Sequence, residues 1–214
     1  MQWVASRTHS RGLLWGNALP FASSLLLVLG ATYSTSALAA PKKVKGFPVD
    51  IGGQGRSQGI AVVDLDKDGK LEIIAAAGEQ LAVIRADGTP WPKFPVVLKE
   101  ADDKALQRIT AAPTVCDLDG DGKQDIFIGV RSGHFYGIGS DAMLLPGFPV
   151  NLKEKVPSAA LCADIDQDGK RELIVATANG RVHWIQADGS LKRSWKVSVG
   201  RGVESSPAFA KMHD

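Results

Sequence analysis

Short apolar runs alternate with polar turns along residues 59–197, and they are rich in Val, Ile and Phe and bounded by Gly, Asp and Pro. Runs of four to seven residues with these boundaries are typical of β-strands rather than helices. The predicted strands are "GIAVV", "LEIIAAA" and "QLAVIRA", then "APTVC", "DIFIGV" and "HFYGIG", then "AALCA", "ELIVAT" and "RVHWIQA". One segment, "KEADDKALQRIT" at 99–110, has the composition for a turn or two of helix.

The strands recur with a period of about fifty residues. An acidic stretch begins at Asp64, Asp117 and Asp164, and a second marker, "FPV" at 47, 94 and 148 and "WKV" at 195, keeps the same period. Within each repeat an apolar run leads into the acidic stretch, two further runs follow, and a turn precedes the closing marker. That turn is Asp-Gly at 87–88 and 188–189 and "SDAM" at 140–143, and Asp-Gly between strands favours a hairpin.

Four strands in fifty residues form the blade of a β-propeller. We therefore expect an all-β fold with about three complete four-stranded blades, at about 50–104, 105–151 and 152–198, and the start of a fourth at 199–214. Since a propeller takes about four to eight blades, the sequence predicts a partial propeller or a fragment of a larger one. Association with a second copy is another way to complete the ring and to cover the exposed sheet edges.

The first 39 residues differ in character from the repeats. They contain Arg7 and Arg11 but no acid, then the apolar run "FASSLLLVLGA", then small residues ending in Ala37-Leu38-Ala39. This order predicts a secretory signal peptide cleaved after Ala39, because a membrane span needs about twenty apolar residues. We expect a secreted, periplasmic or cell-surface protein without a span in the mature chain.

The charge of the mature chain argues against a polyanionic partner. Removing two of the 25 basic residues leaves as many basic residues as the 23 acids, so the net charge falls to zero and nucleic acid is not expected. Four acids stand in each of the three nine-residue stretches "DLDKDGKLE", "DLDGDGKQD" and "DIDQDGKRE". The acidic chemistry is therefore concentrated in three places.

The acids of each stretch stand at places one, three, five and nine, with Gly at place six. In a tight loop such alternate carboxylates turn inward, and this number of hard oxygen donors suits calcium better than magnesium. An EF-hand is excluded because it needs flanking helices and a Glu at place twelve. Those places are Ala75, Ile128 and Val175.

The D-x-D-x-D-G-x-x-[DE] loop inside a fifty-residue β-repeat with a "GFPV"-like ending resembles the FG-GAP/VCBS repeats, which are related to the propeller repeats of integrin α-subunits. The resemblance covers about residues 45–211 and implies three calcium sites, in loops that join the first two strands of a blade. Lys211, His213 and Asp214 do not reproduce the motif, so no fourth site is expected. The implied ligands are the carboxylates of Asp64, Asp66, Asp68 and Glu72, of Asp117, Asp119, Asp121 and Asp125, and of Asp164, Asp166, Asp168 and Glu172, with the backbone carbonyls of Lys70, Lys123 and Lys170.

The two cysteines, Cys116 and Cys162, each lie within two residues of an acidic loop in neighbouring repeats. An oxidising compartment permits a disulfide, but the bond needs Cα atoms within about 7 Å, closer than we expect for matching strands. We therefore predict two buried small hydrophobic residues, with a bridge as the alternative.

Catalytic signatures are weak. "GRSQG" at 55–59 fits G-x-S-x-G, but a nucleophile elbow needs a helix after Ser57, and a strand is predicted there. Trp91, Trp184, Trp195, Phe135 and Tyr136 are expected to pack between blades rather than to form a sugar-binding surface. The resemblance implies a non-enzymatic module that binds an extracellular protein or carbohydrate, with calcium mainly structural. The alternative is a non-catalytic propeller part of a larger secreted enzyme that degrades polysaccharides or phospholipids.

Overall fold

The computed structural model describes residues 44–52, 57–98, 107–197, 202–208 and 210, within one compact unit, Lys43–Asp214. The expected signal peptide and residues 211–214 lie outside the described residues. So do residues 99–106 of the segment with helical composition, and its described residues, 107–110, form no helix.

Twelve strands make up three four-stranded antiparallel sheets in the described part of the chain. Each sheet takes four consecutive strands in sequence order, so each repeat folds as one up-and-down meander. All nine predicted strands and the three closing strands are confirmed. The first sheet contains β1 (Ser57–Val63), β2 (Glu72–Ala77), β3 (Gln80–Ile84) and β4 (Val96–Val97); the second contains β5 (Thr114–Cys116), β6 (Asp125–Gly129), β7 (His134–Ile138) and β8 (Val150–Asn151); the third contains β9 (Leu161–Ala163), β10 (Glu172–Ala176), β11 (Arg181–Ile185) and β12 (Leu191–Lys196).

The second sheet is sandwiched between the other two, which explains why β6 is apolar at nearly every place. Side chains alternate between the two faces of a strand. Ile126 and Ile128 join the core with Ile74 and Leu81 of the first sheet. Phe127 lies on the opposite face, in the core with Leu173, Val175 and Ile185 of the third sheet.

The first strands of successive sheets lie side by side. β1 contacts β5, and β5 contacts β9. The hydroxyl of Thr114 on β5 donates a hydrogen bond to the carbonyl oxygen of Ala160, just before β9, at 2.9 Å. Consecutive meanders packed face to face with adjacent first strands are blades of a β-propeller, and this confirms the predicted fold class.

This convergence of first strands also corrects the prediction for the cysteines. Cys116 and Cys162 form a disulfide with a Cα–Cα distance of 6.6 Å. Cys116 stands one residue before its acidic loop, and Cys162 stands two before its own. Because of this offset the two side chains point toward each other into the same core, between the second and third sheets. The two cysteines therefore do not occupy matching places of their strands, and the expected separation of matching places does not apply to them.

The third sheet ends differently from the other two. β4 and β8 are two residues long, whereas β12 is a six-residue strand that pairs with β11 along its length. Pro95 and Pro149 immediately precede β4 and β8, whereas no proline stands between the Asp-Gly turn at 188–189 and the end of β12. Proline has no N–H to donate to a neighbouring strand, so its absence allows β12 to pair from Leu191 onward.

A glycine contacts the Asp-Gly turn of the following sheet at two places in the chain. A Cβ on Gly147 would lie 1.8 Å from the Asp188 carbonyl oxygen, and a Cβ on Gly46 would lie 1.9 Å from that of Asp87, so both would clash. Both glycines have positive φ, 79° and 87°, which favours glycine independently of the contact. Gly46 therefore contacts the first sheet in the same way as Gly147, just before β8, contacts the third sheet.

Candidate metal centres

Each acidic stretch is the connection between the first and second strands of its sheet. The first strand ends one residue before place one, at Val63, Cys116 and Ala163. The second strand begins at place nine, at Glu72, Asp125 and Glu172. The three loops therefore occupy equivalent positions in the three blades.

The place-nine carboxylates are buried at the base of each loop. Glu72, Asp125 and Glu172 are 3%, 3% and 4% exposed. Each accepts a hydrogen bond from the backbone N–H of the place-two residue, Leu65 at 2.9 Å, Leu118 at 3.1 Å and Ile165 at 2.9 Å. Leu65 and Leu118 are themselves buried, so an apolar side chain holds the loop against the blade while its N–H orients the acid.

The place-one carboxylates organise the turn. Asp64 accepts the N–H groups of Asp68 and Gly69, at 3.0 and 2.8 Å. Asp164 accepts the equivalent pair, Asp168 and Gly169, at 3.1 and 3.0 Å. In the second loop Asp117 accepts the N–H groups of Gly120 and Gly122. These contacts fold the backbone around one carboxylate and draw the alternate acids toward it.

The loops differ in whether the place-five carboxylate forms an ion pair. In the first two loops the place-seven lysine pairs with the place-five acid, Lys70 with Asp68 at 2.9 Å and Lys123 with Asp121 at 3.4 Å. In the third loop the ion pair instead joins the place-three acid, Asp166, to Lys192 of β12. Asp168 is therefore left to turn toward the other three acids.

The pKa values reflect these surroundings. The side-chain hydrogen bond from Lys70 lowers the pKa of Asp68, and the bond from Lys192 lowers the pKa of Asp166. The backbone N–H of Lys123 lowers the pKa of Asp121. Burial raises the pKa of Asp125 to about 6, and the nearby charges of Asp119, Asp121 and Asp117 add to the rise. A divalent cation among these carboxylates would offset that repulsion.

Carboxylate oxygens gather in all three loops, with ligand atoms within 4.8 Å of one another. The third loop brings together all four predicted acids, and the first two bring together those at places one, three and nine. The donor set is oxygen alone, the kind that calcium prefers, and Asp166 is the clustered acid that pairs with a lysine, Lys192. The clusters are Asp64, Asp66 and Glu72; Asp117, Asp119 and Asp125; and Asp164, Asp166, Asp168 and Glu172. The carbonyl ligands at Lys70, Lys123 and Lys170 remain a prediction.

Other singled-out residues lie in the blades. Ser57 begins β1, so a strand rather than a helix follows it. Phe135 and Tyr136 are buried, and the indole N–H of Trp91 donates to the Ser140 carbonyl oxygen of the second blade at 2.9 Å. Sequence reasoning missed Lys192. The sequence does contain a signal for a longer last strand with Lys192 in it, namely the absence of proline after the Asp-Gly turn of the third repeat. That repeat has "SLKRSWKV" where the first has "TPWPKFPV".

A profile of the FG-GAP-like repeat family matches residues 64–128, from the first acidic loop through the second and into β6. The chain carries an FG-GAP-like repeat. The matched segment spans two of the three loops, and the third loop lies outside it. No curated protein sequence matches the chain significantly.

Solved structures similar to this chain support the fold alone. BBS1N, crystallised in complex with ARL6DN, has 15% identity and a TM-score of 0.50, with 65% of this chain and 43% of that chain covered. The computationally designed Ika8 protein has 16% identity and a TM-score of 0.50, with coverages of 75% and 42%. The designed Ika4 protein has 14% identity and a TM-score of 0.50, with coverages of 80% and 89%. The chain thus spans less than half the length of BBS1N and Ika8.

In the part of the chain that the structure describes, no helix has the length and apolar character to cross a membrane.

Proposed function

We propose that the chain is an exported, non-enzymatic propeller module that binds three calcium ions, chiefly to stabilise its blades, and presents its surfaces to an extracellular protein or carbohydrate. The observation that carries the calcium proposal is the gathering of carboxylate oxygens within 4.8 Å at the same corner of each blade. A solvated acidic turn has no need of three or four carboxylates converging in every repeat, because their mutual repulsion costs stability.

The position of the loops supports a structural role for the ion. An ion held by places one, three and nine would join the end of the first strand to the beginning of the second. It would also neutralise the buried place-nine acid, whose charge is otherwise costly at 3–4% exposure. Binding free energy of this kind adds directly to folding stability, since the unfolded loop has no preformed site.

Export is supported by two independent features. The first 39 residues have the order of a secretory signal, and the disulfide between Cys116 and Cys162 is stable in an oxidising compartment. These features support our proposal that the mature protein acts outside the cytoplasm.

An apolar face of the first blade supports association with a second copy of the chain. Phe47, Val62, Leu71 and Ile73 help to line an open groove of about 750 Å³. At the place of Ile73, the second and third blades have Ile126 and Leu173, which the preceding blade buries completely. The equivalent face is covered by the preceding blade in both the second and the third blade. We therefore propose that a blade of a second copy of the chain covers this face of the first blade. Sedimentation equilibrium tests this, and a monomer at all accessible concentrations would contradict it.

Thermal melting with calcium and with EDTA tests the metal proposal. A site with a dissociation constant of about 10 µM adds about 2.7 kcal/mol at 1 mM calcium, so even one such site raises the melting temperature by about 5–10 °C. We expect three calcium ions per chain by elemental analysis of the dialysed protein, and two after Asp117→Asn. Equal melting temperatures in calcium and EDTA, with no bound calcium, would refute the proposal.

A further inference from the structure

Among the described residues, Lys192 is the lysine that reaches an acidic loop from a distant strand. Lys70 and Lys123 pair with acids two residues away in their own loops. Lys192 pairs with Asp166, which precedes it by 26 residues. In the third loop, therefore, the ion pair is formed with a lysine from another strand of the blade.

An irregularity in the third sheet aims this lysine at the loop. The register between β11 and β12 shifts so that Arg193 pairs with Trp184 and Leu191 pairs with Ile185, leaving Lys192 without a partner residue. Such an extra residue is a β-bulge, a feature that redirects a side chain. The first and second blades have apolar residues at the matching place, four after the turn aspartate, namely Trp91 and Leu145.

Two contacts fix the ammonium group. Its nitrogen lies 4.7 Å from the ring centroid of Trp184, a cation–π distance, while it pairs with Asp166. The Lys192 side chain is 37% exposed, against 74% for Lys70 and 67% for Lys123.

The third loop also has the most complete set of acids, since Asp168 clusters with Asp164, Asp166 and Glu172. A divalent ion in this cluster would draw Asp166 inward and repel the ammonium beside it. Because the ion and the ammonium have like charges and share Asp166, binding of the ion would weaken the contact between Asp166 and Lys192.

We propose that Lys192 is a tethered cation that competes with calcium for the third loop, weakening that site and coupling its occupancy to release of the lysine from Trp184. This inference rests on the proposed calcium binding by the loops and adds a regulation specific to one of them. Among the described residues, the lysines of the first two loops are exposed and lie two residues from the acids they pair with. Arg85 lies near the first loop with its guanidinium over Trp91, but it forms no ion pair with the acids of that loop.

Calorimetric titration with calcium tests the competition in a chain where the third loop alone is intact, through Asp64→Asn and Asp117→Asn. In this background we compare Lys192→Met with Arg193→Met, which removes the same charge from the next residue of the same strand. We expect Lys192→Met to raise the calcium association constant about fivefold, as loss of an ion pair of this kind implies, and Arg193→Met to raise it by less than twofold. Equal gains in the two variants would overturn the inference.

Tryptophan emission gives a second readout that does not depend on affinity. In the same background calcium should change the emission of Trp184, because the ammonium leaves the ring, and Trp184→Phe should abolish that change. In Lys192→Met the calcium-dependent change should disappear although calcium still binds. A change that persists in Lys192→Met overturns the inference but leaves the calcium sites standing, whereas absence of calcium binding to the unsubstituted chain overturns both.

Discussion

Breaking the disulfide between the second and third blades should cost about 4 kcal/mol of folding stability. The bond closes a loop of 46 residues between Cys116 and Cys162. In the chain-entropy treatment, a loop of this length restricts the unfolded state by about 4 kcal/mol at 25 °C. For a chain of this size, that loss corresponds to a fall in melting temperature of about 10 °C.

The measurement compares oxidised protein, reduced protein and a Cys116→Ala/Cys162→Ala variant by calorimetry or circular dichroism. Cys116 is buried, so reduction is carried out in denaturant before refolding, and a thiol assay confirms it. The variant should melt near the reduced protein and should not respond to reductant. Reduced protein that melts within about 2 °C of the oxidised form would refute the reasoning, since the loop length alone sets the expected loss.

Two further predictions concern a buried histidine and an exposed valine. Burial lowers the pKa of His183 below 6.5, and nearby Arg181 lowers it further, so the folded state disfavours the charged ring. Stability contributed by neutral His183 is present above about pH 6.5 and is lost as pH falls toward the folded-state pKa, by at most about 1.4 kcal/mol per pH unit. His183→Asn, which can still bond Ser194, should flatten this slope in melts between pH 5 and 7, and an unchanged slope would contradict the assignment. Val62→Glu, on the apolar face of the first blade at 54% exposure, should weaken self-association at least about tenfold. Val97→Glu, at 39% exposure on β4, should not weaken it in sedimentation, and equal effects would argue against that face.

The sequence predicts the blades well because two local signals agree in each repeat. Apolar runs such as 125–130 and 172–177 end at glycine or turn residues, and the acidic loops divide the first strand from the second. The structure places β6 and β10 within these runs. Local composition decides such elements, so their existence does not depend on distant contacts.

The details that sequence reasoning missed depend on contacts between strands. Cys116 and Cys162 bond because their places differ by one residue on adjacent first strands, which becomes visible only when the strands are set side by side. Lys192 reaches Asp166 because of a bulge whose position depends on the pairing of β11 with β12. The acids themselves could be predicted by spacing, while the partner of each acid could not.

The contact between a glycine and the next Asp-Gly turn limits where a repeat can be duplicated or exchanged. Gly46 contacts Asp87, and Gly147 contacts Asp188, so a sheet fits its neighbour through a residue that belongs to the preceding repeat. A copied segment that begins at a sheet boundary would separate the glycine from its turn, whereas one that begins at Gly-Phe-Pro carries both halves of a junction. Gene duplication or engineered exchange should therefore succeed when the cut falls before this glycine, which for Gly147 lies inside a blade, between its third and fourth strands.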